Sequence, residues 1–230
     1  MRFSSAIKLC KKEKKIPLIA EIKVYSPKDG ELLKNRDPLK ILQEYEEGGA
    51  CAISVVTEPI YFKGSLDLLT LIRGNTSLPI LRKDFIETKE QIEETKRMGI
   101  EAILLIACML SDKKLTELNE YAQGLGLETV IEIHEKKDLR KLAGLNLDIV
   151  GINNKDILNL ERDEDQINPT IELINRIPRS ILTISESGIR SIEDVKKVID
   201  AGCDAVLMGT ALLKAKDIRE KVREIVNAKW

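Results

Sequence analysis

The sequence predicts an α/β fold, a single (β/α)8 barrel with a short extra helix at its N-terminus. Three observations carry this. Eight short apolar runs recur along the 230 residues, at 18–22, 52–56, 80–82, 102–107, 129–133, 149–152, 181–184 and 205–208. Helical patterns separate them, and strands alternating with helices imply βαβ units around a parallel sheet. A glycine turn also repeats where a helix gives way to a strand, at Gly49-Ala50-Cys51, Gly99-Ile100-Glu101 and Gly202-Cys203-Asp204. Three copies of one turn imply stacked equivalent units. The length suits one barrel domain over residues 1–230, with 1–16 as helix and lead-in. An open doubly wound sheet is the alternative, and would ordinarily use fewer strands.

The elements follow in order. Phe3, Ala6, Ile7 and Cys10 fall at i, i+3, i+4 and i+7, which predicts an amphipathic helix before the first strand. Most of the eight runs are nearly continuously apolar, as strands covered on both faces should be. Pro38 can open a helix at its first turn, with Leu39, Ile41, Leu42 and Tyr45 behind it. Ser65, Ser111 and Ser191 each stand before a helical apolar pattern as N-caps, the last with Asp194 in its first turn. The repeated glycines supply the left-handed residue that ends a helix.

Composition excludes several classes. Hydrophobic residues make up 43% and charged residues 33%, which describes a folded chain rather than a disordered one. A formal net charge of -1 leaves no electrostatic footprint for nucleic acid or an anionic membrane. The short run Lys11-Lys12-Glu13-Lys14-Lys15 reads as the solvated end of a helix. Cys10, Cys51, Cys108 and Cys203 form no C-x-x-C pair and read as reduced thiols, mostly in apolar surroundings. His134 is alone, so no multi-histidine metal site is expected, and no cysteine–histidine cluster replaces it. The chain has neither a signal-peptide pattern nor a run of membrane-span length, and a cytoplasmic location is expected.

Barrels of this kind deliver functional groups from the C-terminal ends of their strands. There the first run ends in Glu21-Ile22-Lys23, and alternation points Glu21 and Lys23 to one side, where an ion pair is expected. The third ends in Lys83-Asp84-Phe85, the fifth carries Glu132, and the sixth ends in Asn153-Asn154-Lys155-Asp156. The seventh ends in Ser185-Glu186-Ser187-Gly188 and the eighth in Gly209-Thr210. Any one of these charges has a structural reading, in which acids and bases satisfy one another. Five of them together, Glu21, Lys23, Lys83, Glu132 and Glu186, each costly to bury unpaired, point instead to a site. The turns Ser187-Gly188 and Gly209-Thr210 offer backbone N–H groups, expected beside helix starts, as barrel phosphate sites do.

These segments resemble the indole-3-glycerol phosphate synthase family in order along nearly the whole chain. Carrying the likeness are Ile19-Ala20-Glu21-Ile22-Lys23 with Ser26-Pro27, Thr57-Glu58 with Tyr61-Phe62 and Gly64-Ser65, and Pro79-Ile80-Leu81-Arg82-Lys83-Asp84-Phe85. Ile131-Glu132-Ile133-His134, Gly151-Ile152-Asn153-Asn154-Lys155-Asp156, Ser185-Glu186-Ser187-Gly188-Ile189 and Leu207-Met208-Gly209-Thr210 continue it. The resemblance implies a small phosphorylated substrate, 1-(2-carboxyphenylamino)-1-deoxyribulose 5-phosphate, whose ring closes with loss of carbon dioxide and water. It implies no cofactor, and makes other enzymes of tryptophan synthesis candidate partners. Lys83 would be the general acid, Lys23 would bind the substrate carboxylate, and Glu21 would orient Lys23. Glu132 would accept a proton in the dehydration, and Glu186 would position the lysines. Asn153, Ser187 and Lys155 would bind substrate, Phe62 and Phe85 would flank its ring, and Ser26, Gly188, Gly209 and Thr210 would hold its phosphate. Lys155 departs from the family's usual arginine, and the N-terminal segment is short: the resemblance implies that residues before the first strand help cover the barrel mouth, which here falls to the Phe3–Cys10 helix. Two other readings of the residues stay open: another phosphate-binding barrel, an isomerase or epimerase, or a non-catalytic barrel subunit.

Overall fold

The computed structural model describes residues 1–229. Helix α1 (Phe3–Lys12) precedes strand β1 (Leu18–Ile22). A small antiparallel hairpin, β2 (Tyr25–Ser26) and β3 (Gly30–Glu31), follows. Then come α2 (Pro38–Gly48), β4 (Ala52–Val56), α3 (Leu66–Arg73), β5 (Ile80–Lys83), α4 (Lys89–Arg97) and β6 (Ala102–Ile106). The chain continues through α5 (Asp112–Gly124), β7 (Glu128–Ile133), β8 (Ile149–Asn153), α6 (Asn168–Leu173) and β9 (Leu182–Glu186). It ends with α7 (Ile192–Asp200), β10 (Ala205–Met208), α8 (Thr210–Leu213) and α9 (Ile218–Val226). Strand β1 and strands β4 to β10 close an eight-stranded parallel barrel, with β1 paired to both β4 and β10.

Local chemistry explains most boundaries. Asp37 caps α2 through Leu39 N, with Pro38 at the first turn. Ser65, Ser111 and Ser191 cap α3, α5 and α7, and Asp194 completes a capping box at Ser191. Gly49, Gly99 and Gly202 all have positive φ, the left-handed turn expected between helix and strand. The ends of β5, β6, β7 and β8 shift by one residue from the apolar runs, and three features go beyond the sequence reading. β9 runs on through Ser185 and Glu186, because Asn154 and Thr170 satisfy the buried Ser185 hydroxyl. A 3-10 helix at Lys136–Leu142 stands where a full α-helix follows most other barrel strands. The segment after Lys23 forms the β2–β3 hairpin.

The N-terminal helix lies at the opposite end from the one expected. Phe3 and Ile7 are fully buried against Ala52, Ala102, Ile149 and Ala205. Those residues begin β4, β6, β8 and β10, so α1 seals the barrel floor and not its mouth. The reason is complementarity. The floor offers apolar residues, three alanines and Ile149, to an apolar helix face, whereas the mouth is lined with charge. Arg2 adds ion pairs to Glu128 (3.3 Å) and Asp148 (3.5 Å), and Lys11 pairs with Asp204. Above this floor Ile19, Leu81, Leu104, Val130, Ile184 and Leu207 fill the barrel, and the next layer up is polar.

Candidate active site

Alternation along the strands aims the polar layer inward. On β5, Lys83 faces the interior, while its neighbour Arg82 turns outward and is buried in a net of its own. Arg82 Nη2 meets Asp84 Oδ2 at 2.9 Å and Arg82 Nη1 meets Glu94 Oε2 at 3.0 Å, and Thr57 donates to Asp84 at 2.7 Å. This net fixes the strand end that carries Lys83. Two glycines make room for carboxylates. A Cβ on Gly151 would sit 2.0 Å from Glu186 Oε1, and one on Gly209 would sit 2.6 Å from Glu21 Oε1.

Two ammonium groups and four carboxylates meet in this layer. Lys83 Nζ lies 3.1 Å from Glu186 Oε2 and 3.5 Å from Glu132 Oε2. Lys23 Nζ lies 2.9 Å from Glu21 Oε1 and 3.9 Å from Glu161 Oε2. Burial alone would pull protons off both lysines, but the carboxylates outweigh it. Lys83, facing Glu186 and Glu132, is held well above the ordinary lysine value, and Lys23, facing Glu21 and Glu161, is raised. Burial lifts Glu186 to about 7 against the pull of Lys83, with Glu132 adding repulsion. Burial raises Glu132 as well. Glu132 Oε2 and Glu186 Oε1 are buried without a hydrogen-bond partner among the described residues. Native chains seldom leave buried acceptors so. The arrangement can therefore donate from an ammonium and accept on a carboxylate within one small space.

Two pockets share this layer. The first is lined by Phe62, Phe85, Val56, Leu104, Ile106 and Ile157, and by Lys23, Lys83 and Glu132. The Phe62 and Phe85 rings meet edge to face, 6.4 Å apart, and Lys23 Nζ lies 6.0 Å from the Phe62 centroid. Glu58 holds that wall in place by accepting from Ile60 N, Tyr61 N and Phe62 N. The second pocket contains Ser26, Gly188, Gly209 and Thr210, with Lys155, Arg190 and Lys214. Gly188 has φ +68°, and a Cβ there would fall 2.2 Å from Gln166 O. Gly209 stands at the N-terminus of α8, which no described side chain caps. Ser187-Gly188, by contrast, does not open a helix. It forms a left-handed pair ahead of α7, whose start is already closed by Ser191 and Asp194.

The structure thus brings Glu21, Lys23, Lys83, Glu132, Asn153 and Glu186 into one layer, with Phe62 and Phe85 on one side and Ser26, Gly188, Gly209 and Thr210 on the other. Ser187 and Lys155 line the second pocket and not the first. Sequence reasoning missed Glu161. It opens the charged stretch Glu161-Arg162-Asp163-Glu164-Asp165, which reads as a solvated face, yet Glu161 is only 8% exposed and lines both pockets. Nothing in the local pattern marks it. Lys23, Asn153 and Ser187, three groups at one end of the barrel with protons to donate, are the signal that could have prompted a search for one more carboxylate.

The profile of the indole-3-glycerol phosphate synthase family matches residues 2–225. The chain belongs to that family. It is 48% identical to the indole-3-glycerol phosphate synthase of Pyrococcus furiosus over 95% of each chain. It is 45% identical to that of Pyrococcus abyssi, over 98% of this chain and 96% of the relative. It is 44% identical to that of Acetivibrio thermocellus, over 91% of this chain and 79% of the relative. Lys155 stands at the edge of the second pocket. Its ammonium is buried, 2.8 Å from Asp165 Oδ1 and 3.2 Å from Glu161 O. Asp165 also faces Lys28 and Arg190, so this family member builds a cationic cluster around one carboxylate beside the second pocket.

Proposed function

We propose that the chain converts 1-(2-carboxyphenylamino)-1-deoxyribulose 5-phosphate to indole-3-glycerol phosphate, closing the ring with loss of carbon dioxide and then water. One observation carries this reading above the rest. Lys83, wedged between Glu186 and Glu132, lines an aromatic-walled pocket that meets a cation-lined one at Glu21, Lys23 and Glu161. A substrate with an aryl group at one end and a phosphate at the other spans those two pockets through the reacting carbons.

The phosphate rests on Ser26, Gly188, Gly209 and Thr210, with Lys155, Arg190 and Lys214 supplying positive charge. The aryl ring lies against Phe62 and Phe85, and Lys23 holds its carboxylate, oriented by Glu21 at 2.9 Å. As the ring carbon attacks the ribulose carbonyl, that oxygen becomes strongly basic. It then takes a proton even from an ammonium as firmly held as Lys83. Glu186 keeps Lys83 aimed, and Glu132, its proton affinity raised by burial, accepts the proton released on dehydration. Asn153 and Ser187 bind the substrate's polar groups. The four free cysteines fit the reducing cytoplasm, which is part of the same proposal.

The test is direct. Purified protein mixed with the carboxyphenylamino-deoxyribulose phosphate should produce indole fluorescence, at room temperature and when warmed. Tight binding of the substrate with no fluorescence at either temperature would favour a non-catalytic subunit. Neither binding nor fluorescence would direct attention to other sugar phosphates.

A further inference from the structure

We propose that Glu161 is a positioning residue, which locks Lys23, Asn153 and Ser187 into a single preset unit for the substrate. The inference rests on the reaction proposed above and adds a carboxylate to it. Glu161 Oε1 accepts from Asn153 Nδ2 at 3.1 Å and from Ser187 Oγ at 2.8 Å, while Oε2 faces Lys23 Nζ at 3.9 Å. Those partners arrive from three places: the end of β1, the end of β8 and the turn after β9. The chain elements that carry them have no direct need to agree on a geometry, and the Glu161 carboxylate ties all three together.

The backbone is built for the purpose. Leu160 and Glu161 both have positive φ, +53° and +55°, a conformation that disfavours any residue except glycine. Such residues persist where their surroundings over-determine them, and they gather at functional sites. Here Glu161 N donates to Asp156 O and Leu160 N to Ile157 O. Asp163 accepts from Asp156 N at 2.7 Å and from Asn159 Nδ2 at 2.8 Å. Lys155 grips the Glu161 carbonyl at 3.2 Å. The loop spends many contacts on presenting one side chain to the interior. Burial opposes ionisation of Glu161, but Lys23 and Lys83 overcome it and hold the carboxyl at about 2, so it stays charged at any working pH.

The charge of Glu161 acts in two directions that a structural role would not. It favours the proton on Lys23 and, by repulsion, the proton on Glu132. Removing that charge lowers the proton affinity of both groups, and both limbs of a bell-shaped pH profile move toward acid. The decisive variant is Glu161→Gln, which keeps the shape and an acceptor oxygen. We expect kcat/KM to fall at least about tenfold, with both limbs displaced toward acid. Glu161→Asp, which retains the charge, should restore the parental limbs. Unmoved limbs in Glu161→Gln would overturn the proposal, whatever happened to the rate. Should the parental protein form no indole, the reaction itself would be misread, and a second measurement still judges Glu161. The Asn153 side-chain amide, followed by NMR in the substrate-free protein, should exchange slowly in the parental chain and rapidly in Glu161→Ala. Equal protection in both would overturn the positioning role.

Discussion

The two ends of the barrel solve opposite problems with similar materials. At the floor, α1 lays Phe3 and Ile7 on apolar residues, and Lys11 within it and Arg2 just before it pair at the rim, where Arg2 is largely exposed. At the mouth, Lys23, Lys83 and their carboxylates are buried together, and two carboxylate oxygens lack a hydrogen-bond partner among the described residues. Buried charge of this kind costs several kcal/mol in desolvation and is weak evidence for stability. The floor therefore holds the fold together, and the mouth draws on that stability to keep charge where a reaction can use it.

The largest effect should come from the centre of the mouth. Lys83→Ala removes the cation between Glu186 and Glu132 and should cut turnover by about 10²- to 10⁴-fold, the usual range for a general acid. The fold should survive, because both carboxylates already have raised proton affinity and can become neutral. Indole fluorescence and a thermal melt check both halves. Near-parental turnover would erase the distinction between the two ends.

Phe3→Ala tests the floor. Truncating a fully buried phenylalanine costs about 3–5 kcal/mol. In a chain of this size that lowers the melting temperature by about 10 °C. Rates at room temperature should be unchanged, since α1 touches nothing in the mouth layer. A variant that melts normally but turns over slowly would put α1 back in the service of the site.

The uneven legibility of the sequence follows the same division. Strands covered on both faces appear as apolar runs, so every barrel strand was readable, as were the serine caps and glycine turns. Glu21, Lys23, Lys83 and Glu132 stood out because charge within or beside an apolar run demands an explanation. Which end α1 covers was not readable, because an amphipathic pattern names a face but not its partner. Glu161 was hidden for the converse reason. Its burial comes from distant residues on β1, β8 and the turn after β9, while its sequence neighbours are charged.

A smaller effect concerns pH. Glu186 releases its proton near 7 in the folded chain, against 4.5 ordinarily, because burial outweighs the attraction of Lys83. Between those values the folded state holds a proton that the unfolded state has lost. Stability contributed by this group therefore falls as pH rises from about 4.5 to about 7, and levels off above. Glu132 contributes in the same direction. Melting temperature measured across that window should fall less steeply in Glu186→Gln than in the parental protein. Parallel curves would mean that Glu186 is ionised throughout and that the mouth is less strained than its geometry indicates.

The smallest effect is expected from Lys155→Arg, at the edge of the mouth. Lys155 spends its ammonium on Asp165 and on the Glu161 carbonyl, both within its own loop. Arginine would keep those contacts and add donors on the pocket side, toward Ser26 and Gly188. One added hydrogen bond is worth about 0.5–1.5 kcal/mol, so KM should fall about two- to tenfold while kcat holds. That split would assign Lys155 to binding and leave the chemistry to Lys83, Glu132 and the groups around them. A change in kcat as large as that of Lys83→Ala would show instead that the cationic cluster at Asp165 acts on the reacting carbons. The boundary between the strained centre and its supports would then run one loop further out.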